Sequence, residues 1–198
     1  MKPFIRQRMV EGTGYAHLPE LEIKHLPHKC LAGLLPIPLH YATVSVMEII
    51  TCHHNSDFDA LASMLAAKKL YPDAVPVFPG SQERVLRDFL TQNSFFKFET
   101  TSAKDIDLDK VDRIILVDTR QPGRIGRLAE ALERPGVDVH IYDHHPPMAG
   151  DITGSIDVSR KVGATTTVMA GLLKDKGIDI TSEEATVMMM GLYEETGC

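Results

Sequence analysis

RIILV, at residues 113–117, is the strongest strand pattern in this chain, and the polar residues Asp118, Thr119 and Arg120 follow it directly. A short apolar run that ends in polar residues is typical of a parallel strand buried on both faces. In parallel α/β sheets, ligands bind beyond the carboxyl ends of the strands. The pattern therefore predicts a buried strand with candidate functional side chains at its C-terminal end.

Strand and helix patterns alternate on both sides of this run. Strand patterns cover residues 44–51, 75–78, 113–117 and 137–142, with a short one at 155–158. Helix patterns cover residues 59–70, 82–90, 124–132, 163–174 and 182–192. Alternating strands and helices imply right-handed βαβ crossovers. The predicted fold class is therefore α/β, with a mainly parallel, Rossmann-like sheet flanked by helices.

The composition is that of a globular protein without a broad basic surface. The 198 residues carry a formal net charge of −6, which argues against a face built for duplex nucleic acid. Cys30, Cys52 and Cys198 lie far apart and form neither a CxxC pair nor an even disulfide set. No apolar run approaches the ~20 residues that cross a membrane. We therefore expect a cytoplasmic protein with no membrane partner.

The first 46 residues differ from the rest. They hold five of the 12 prolines, carry five basic and three acidic residues, and show no sustained helical or strand period. Segments of this composition rarely form core elements. We expect residues 1–46 to be an irregular N-terminal extension and residues 47–198 to be the folded domain. Two interpretations stay open: the extension is a genuine flexible arm, or native translation begins at Met47.

Acidic residues and histidines gather at the predicted C-terminal ends of three strands. The clusters are CHHNSDFD at 52–59, VDTR at 117–120 and YDHH at 142–145. Neighbouring strands lie only ~4.8 Å apart, so three clusters at one edge can converge on a single site. Crowded carboxylates repel one another unless cations lie between them, and carboxylates with imidazoles suit Mn²⁺, Fe²⁺, Zn²⁺ or Mg²⁺. The pattern predicts a metal site, and a pair of ions would give that site hydrolytic chemistry.

The order of these motifs resembles that of the DHH phosphoesterase superfamily. The motif residues are, in order, His53-x-x-x-Asp57-x-Asp59, Asp118 and Asp143-His144-His145. The runs VDTRQPGRIG, YDHHPP, VGATTTVM and GLYEETG are similar to one branch, the DHH domain found fused to CBS domains and a bacterial tRNA nucleotidyltransferase. The resemblance covers about residues 47–198, and it implies the DHH fold and a two-metal site.

The resemblance implies two bound divalent metal ions, with Mn²⁺ preferred and Mg²⁺ as the alternative. His53 and Asp57 would bind one ion, and Asp59 and His144 would bind the other. Asp118 would bridge both ions.

The resemblance also assigns the remaining site residues. His145 would contact the substrate phosphate and give a proton to the leaving group, and Asp143 would orient a histidine ring. Together with Asp118, these two are the predicted catalytic residues. The family's fourth motif normally ends in Asp-Thr and supplies another ligand, whereas this chain has Glu195-Thr196, which is longer by one methylene. Glu195 is therefore the sixth candidate metal ligand.

Substrate contacts are predicted beside the metal motifs. Arg120 is a candidate phosphate clamp because guanidinium binds phosphate through two parallel hydrogen bonds. Gly163 and Thr165 open a helix whose free N–H groups favour an anion, although an ordinary helix start explains them equally well. Arg124 and Arg127 are interpreted as the exposed side of a helix.

Some motif residues also have a simpler explanation. Ser56 or Asp57 could cap the following helix, since Ser56-x-x-Asp59 resembles a capping box. A residue can serve as cap and ligand together. His54 is interpreted as a structural residue and not as a metal ligand.

The predicted function is two-metal hydrolysis of phosphoester bonds in a nucleotide or a short single-stranded nucleic acid. Two alternatives stay open: a non-catalytic regulatory or RNA-positioning module of a tRNA nucleotidyltransferase, which would meet tRNA through a fused module, and a manganese pyrophosphatase. A homodimer is compatible with each of them. DHH enzymes also use a smaller C-terminal substrate-binding domain, and this chain stops directly after the GLYEETG run. We therefore expect a truncated DHH domain that binds metal and turns substrate over poorly.

Overall fold

A computed structural model describes residues 46–93 and 96–197 of the chain. Residues 1–45 of the predicted extension lie outside these ranges, as do Cys30 and Cys198, so both interpretations of Met47 stay predictions. No helix within the described ranges combines the length and the apolar character that crossing a bilayer requires.

Six parallel strands form one sheet. Their bounds are β1 (Met47–Thr51), β2 (Val75–Phe78), β3 (Thr101–Ser102), β4 (Val111–Val117), β5 (Asp138–Asp143) and β6 (Ile156–Ser159). The order across the sheet is β3-β2-β1-β4-β5-β6, and the pairings are all parallel. This confirms the predicted α/β class. The strand order reverses between β1 and β4, which is where doubly wound sheets bind their ligands.

Strand β4 explains why RIILV is a continuous apolar run. Ile115 and Val117 enter the core on one face of the sheet, whereas Ile114 and Leu116 enter the core on the other face. All four side chains are fully buried. Because side chains alternate across a strand, a strand covered on both faces must be apolar at consecutive positions.

Four α-helices accompany the sheet. Their bounds are α1 (Phe58–Leu70), α2 (Arg84–Gln92), α3 (Thr165–Asp175) and α4 (Ser182–Thr196). Helices α1, α3 and α4 cover the face that carries Ile115, and they contribute Leu61, Met169 and Val187 to its core. The opposite face is covered in part by a 3-10 segment, whose Leu128 is fully buried there.

The helix predicted at 124–132 is instead a pair of 3-10 segments, Pro122–Arg124 and Gly126–Glu133. Gly126, the first residue of the second segment, has φ of +57°, which interrupts the right-handed path and is a conformation that glycine adopts without strain. Strand β3 was not predicted, because an element of two residues leaves no hydrophobic period in the sequence.

Helices α1 and α4 approach closely at Gly191, which is buried. A Cβ atom at this position would lie 2.9 Å from the Phe58 carbonyl oxygen, 3.0 Å from Ala62 Cβ and 3.0 Å from Thr166 Oγ1. Gly191→Ala would therefore force the helices apart. We expect this substitution to lower the free energy of unfolding by about 1–3 kcal/mol, measured by urea denaturation.

Gly171→Ala in α3 is the matched control for this prediction. Nothing described lies within 4 Å of a Cβ atom at Gly171, so the added methyl group meets no neighbour. We expect the control to leave stability unchanged or to raise it by up to about 1 kcal/mol, because alanine is the better helix former. Equal losses in both variants would show that the helix contact is not close at Gly191.

Candidate metal centre

The C-terminal ends of β1, β4 and β5 bring site residues to one edge of the sheet. His53 lies just beyond β1, Asp118 directly follows β4, and Asp143 is the last residue of β5. Asp118 has φ of +57°, a left-handed conformation that aspartate tolerates better than most residues. Its backbone N–H donates to the Tyr142 carbonyl oxygen at 3.0 Å, which ties the end of β4 to β5.

The first set of candidate ligands, the His53 group, consists of His53, Asp57 and Asp118. One ligand atom from each of them lies within 4.8 Å of the others. His53 Nε2 is 3.2 Å from Asp118 Oδ2 and 3.6 Å from Asp57 Oδ2. Asp57 Oδ1 accepts a hydrogen bond from the Ala60 N–H at 2.9 Å and so caps α1. One oxygen of Asp57 therefore caps the helix while the other faces His53, so the geometry accommodates both interpretations of this residue.

The second set, the His144 group, consists of Asp118, His144 and His145 and meets the same 4.8 Å limit. His144 Nε2 is 3.6 Å from Asp118 Oδ1, and His145 Nδ1 is 3.8 Å from the same oxygen. Asp118 thus belongs to both groups, with Oδ2 towards His53 and Oδ1 towards the other two histidines. This is the placement that a bridging carboxylate requires.

The hydrogen-bond partners of two histidines show that the residues fit a cation. His53 Nδ1 is 2.9 Å from the His54 carbonyl oxygen, and His144 Nδ1 is 3.2 Å from the Val162 carbonyl oxygen. A carbonyl oxygen only accepts, so each Nδ1 carries the hydrogen and a neutral ring presents a lone pair at Nε2. Nε2 of His144 is buried and has no hydrogen-bond partner among the described residues. A lone pair that faces carboxylate oxygens is satisfied by a metal ion.

The electrostatics of the His53 group also favour positive charge. Burial acts to lower the pKa of His53, but the hydrogen bond with Asp118 and the charge of Asp57 outweigh burial and raise the pKa above its usual value. The same carboxylates that stabilise a proton on this ring would attract a divalent cation.

Asp59, predicted as a ligand of the second ion, lies outside both groups. Its buried carboxylate accepts hydrogen bonds at the N-terminus of α3, from the Thr165 N–H at 2.7 Å, the Thr166 N–H at 2.8 Å and Thr166 Oγ1 at 2.5 Å. Burial and the nearby charge of Asp118 raise the pKa of Asp59 to about 7. Nothing in the sequence alone indicated that this carboxylate would cap a helix 106 residues away.

The N-terminus of α3 is therefore already occupied by the carboxyl group of Asp59. Thr165 was predicted to bind a substrate phosphate, but its N–H is used by Asp59 and its Oγ1 donates to Asp118 Oδ1 at 2.8 Å. Gly163 precedes this helix, and a Cβ atom there would lie 2.8 Å from Thr196 Cγ2 at the end of α4. Thr165 therefore contacts two candidate ligands, whereas Gly163 lies against the end of α4.

Two glutamates near the end of α4 reach towards the site. Glu195 Oε1 is 3.6 Å from His144 Nε2, so the longer side chain comes close to the His144 group. Glu194 accepts a hydrogen bond from the Phe58 N–H at 2.6 Å, at the N-terminus of α1, and burial raises its pKa. The sequence offered no sign of this role for Glu194 beyond its place beside Glu195.

Asp143 holds His145 in place. Its Oδ1 accepts hydrogen bonds from His145 Nδ1 at 2.8 Å and from the backbone N–H groups of His144 and His145 at 2.8 and 3.2 Å. Burial acts to raise the pKa of Asp143, but these bonds outweigh it and lower the pKa. The bond to Asp143 in turn raises the pKa of His145. The pair therefore favours a fixed and protonated imidazole beside Asp118.

Arg120, the predicted phosphate clamp, pairs with carboxylates of the chain itself. Its Nε is 3.3 Å from Asp143 Oδ2, and its Nη2 is 3.0 Å from Asp157 Oδ1 and also donates to Ser159. Only 8% of the residue is exposed. Arg120 therefore links Asp143 at the end of β5 to strand β6.

Arg124 lines the same cavity as Arg120. It was interpreted as the exposed side of a helix, but it lines a cavity of about 180 Å³ beside the metal centre, together with His145, Met148 and Asp151. We call this the Asp151 cavity. The ion pairs in the described part of the chain at this cavity are those of Arg120, and none of them includes the Arg124 guanidinium.

His54 is a structural residue, as interpreted from the sequence. Its ring lies between Gly80 and Gly126, where a Cβ atom on either glycine would overlap the ring. Its backbone N–H donates to the Arg124 carbonyl oxygen at 2.7 Å. The residue joins the loop after β1 to the segment that carries Arg124.

Comparisons with known proteins identify similar sequences. Residues 48–192 match the model of the DHH family, N-terminal domain. Over 151 residues the chain is 48% identical to an A-adding tRNA nucleotidyltransferase of Geobacter sulfurreducens, a match that covers 76% of this chain and 17% of that protein. Over 155 residues it is 25% identical to a protein of Brevibacillus brevis named probable manganese-dependent inorganic pyrophosphatase, covering 75% of this chain and 47% of that protein.

A solved structure shares the fold. The crystal structure of an exopolyphosphatase-related protein from Bacteroides fragilis superposes with a TM-score of 0.57 at 22% sequence identity, covering 76% of this chain and 46% of that one. The chain therefore spans well under two thirds of the length of the relatives it matches.

Proposed function

The chain belongs to the DHH family, whose N-terminal domain matches residues 48–192, and on that basis we propose that it hydrolyses phosphoester bonds with two divalent metal ions. The proposed substrate is a nucleotide or a short single-stranded nucleic acid. The observation that carries the proposal is Asp118, shared by two ligand groups beside His145. Two ions held by a shared carboxylate are typical of two-metal hydrolases. Mn²⁺ is the proposed ion, with Mg²⁺ as the alternative, because a relative named probable manganese-dependent inorganic pyrophosphatase matches 75% of this chain.

One set of residues would hold the two metal ions. When bound, the two ions supply Lewis-acid polarisation of the phosphoryl group and lower the pKa of water. The residues that would hold them are His53, Asp57, Asp118 and His144, with Glu195 nearby and Asp59 predicted from the family motif.

His145 is the proposed proton donor. Its Nδ1 is held by Asp143 Oδ1, which leaves Nε2 as the atom that can give a proton to the leaving oxygen. As the ester P–O bond breaks, the oxygen of water forms the new bond to phosphorus, and the proton that water loses restores the one given by His145. The products are a phosphate monoester and an alcohol.

Hydrolysis of the diadenylate pApA tests the proposal. We expect the protein to release AMP in the presence of Mn²⁺, to stop when EDTA is added, and to recover when Mn²⁺ is restored in excess. The expected cause is loss and recovery of the ions bound by the two ligand groups. Release that continues undiminished in EDTA would exclude a metal-dependent mechanism.

The 48% identity to an A-adding tRNA nucleotidyltransferase supports a second candidate function. On this proposal the domain positions or regulates RNA for a fused module and does not hydrolyse it. Binding of a tRNA transcript without AMP release from pApA would favour this function over the first.

The 25% identity to a protein named as a pyrophosphatase supports a third candidate. Here the substrate would be pyrophosphate instead of a nucleotide. Comparing the rate of phosphate release from pyrophosphate with the rate of AMP release from pApA separates the two activities.

A further inference from the structure

The Asp151 cavity opens beside the metal centre and has the size of part of a nucleotide. Its volume is about 180 Å³. Sites for drug-sized ligands occupy roughly 300–1,000 Å³, so this cavity is too small for a whole nucleotide and large enough for a sugar. His145 lines the cavity and also lies 3.8 Å from Asp118 Oδ1, so it connects the cavity to the ligand groups.

Asp151 presents a buried acceptor without a donor. Its Oδ2 accepts a hydrogen bond from the Met148 N–H at 2.6 Å and lies 4.0 Å from Arg120 Nε, which fixes the orientation of the carboxylate. Its Oδ1 is buried and has no partner within the described ranges, and the side chain is only 10% exposed. Buried polar atoms are almost always hydrogen-bonded. The unpaired oxygen therefore points to a ligand that donates a hydrogen bond.

Arg124 gives the same cavity an anion-binding side. Its guanidinium is not paired with any described carboxylate, and a guanidinium binds phosphate oxygens well. One wall of the cavity thus suits a phosphate and another suits a hydroxyl group. Ribose phosphate carries both groups.

We propose that the Asp151 cavity binds the ribose whose 3′-oxygen carries the scissile phosphate, and that Asp151 Oδ1 accepts a hydrogen bond from its 2′-hydroxyl. The inference rests on the proposed function, because it places the phosphate beside His145. The 2′-hydroxyl is the donor adjacent to a 3′-phosphoester, and it is the group that distinguishes RNA from DNA. The cavity would therefore make the site prefer ribonucleotides.

Binding of two nucleotides that differ in this hydroxyl tests the proposal. Adenosine 3′-monophosphate and 2′-deoxyadenosine 3′-monophosphate are titrated calorimetrically into the whole chain saturated with Mn²⁺. We expect the ribonucleotide to bind about 10- to 100-fold more tightly, the usual effect of one hydrogen bond to a charged group. Equal dissociation constants, or no binding of either nucleotide, would overturn the proposal.

Two variants locate the source of the preference. Asp151→Ala removes the acceptor and is expected to bring the ratio of the two dissociation constants to about one, since the hydroxyl loses its partner. Asp157→Ala is the matched control, because Asp157 also pairs with Arg120 but does not line the cavity. We expect it to keep the wild-type ratio. If Asp157→Ala abolishes the preference as well, the effect comes through Arg120 and the assignment to Asp151 is wrong.

A substitute variant guards against misfolding, and the hydrolysis assay distinguishes failure of the ribose subsite from failure of the proposed function. If Asp151→Ala does not fold, Asp151→Asn replaces it, because the amide oxygen can still accept from the Met148 N–H while the buried acceptor becomes a donor. The ratio is then expected to fall towards one, and an unchanged ratio would contradict the proposal. Preference for the ribonucleotide without AMP release from pApA would support the ribose subsite and contradict the proposed hydrolysis. Hydrolysis of pApA with equal binding of both nucleotides would contradict the ribose subsite alone.

Discussion

Asp118→Asn is expected to weaken Mn²⁺ binding at both ligand groups and to lower AMP release from pApA by about 1,000-fold or more. Asp118 offers one oxygen to each group, so its loss affects both ions. Changes in residues that merely support metal ligands already cost about 10–100-fold in affinity, and loss of a shared ligand should exceed that at each ion. Metal polarisation contributes several kcal/mol to hydrolysis, and each 1.4 kcal/mol is about tenfold in rate.

Asp112→Asn is the matched control for Asp118→Asn, because it makes the same chemical change near the other end of β4. Asp112 Oδ2 accepts from the Met47 N–H at 2.9 Å, an interaction that an amide oxygen can keep. Calorimetric titration with Mn²⁺ should give two sites for the wild type and the control and at most one weak site for Asp118→Asn. Mn²⁺ should also raise the melting temperature of the first two proteins only, since binding to the native state stabilises it. Two tight sites in Asp118→Asn would refute the bridging role.

The fold could be predicted from the sequence because a parallel sheet covered on both faces leaves a strong signal. Ile114 to Val117 are apolar at consecutive positions, and each strand of this kind is followed by a helix pattern. The predictions from sequence failed at short or irregular elements. Residues 124–132 carry apolar side chains with a helical spacing, but Gly126 takes φ of +57° and the segment forms 3-10 turns.

The convergence of the site could also be predicted, because strand ends at one edge of a sheet must meet. His53, Asp118 and His144 come from three different strand ends, and the structure brings them together as the strand order requires. The polar residues that follow each strand pattern were therefore sufficient to predict the convergence.

Side-chain partners could not be predicted, because they depend on residues distant in sequence. Arg120 and Arg124 both follow β4 and line one cavity, yet only the fold shows that Asp143 and Asp157 pair with the first. Asp59 satisfies the family motif in sequence, but the N-terminus of α3 supplies it with three hydrogen bonds. The residue types of the site could be predicted from their chemistry, but the partner of each side chain could be seen only in the tertiary contacts.

His145→Gln is expected to lower hydrolysis of pApA by about 100- to 10,000-fold, the usual contribution of a general acid. Asp143 fixes the ring through Nδ1 and raises its pKa, so a proton is available at Nε2 for a sugar oxygen that leaves poorly without one. Asp143→Asn keeps the imidazole but weakens its hold, and should cost about 10–100-fold. His140→Gln on the same strand is the control, since His140 contacts Tyr71 and Asp138 instead of the site, and should change the rate per folded molecule little.

The leaving group decides whether His145 transfers a proton or only binds phosphate. In bis(p-nitrophenyl) phosphate the leaving group is a stable phenolate, which departs without a proton. If His145 is the general acid, His145→Gln should therefore lose far less activity on this ester than on pApA. A loss of the same size on both substrates would mean that the imidazole contributes equally whatever leaves. The role of His145 would then be phosphate binding, and the proton for the leaving oxygen would have to come from water or another residue.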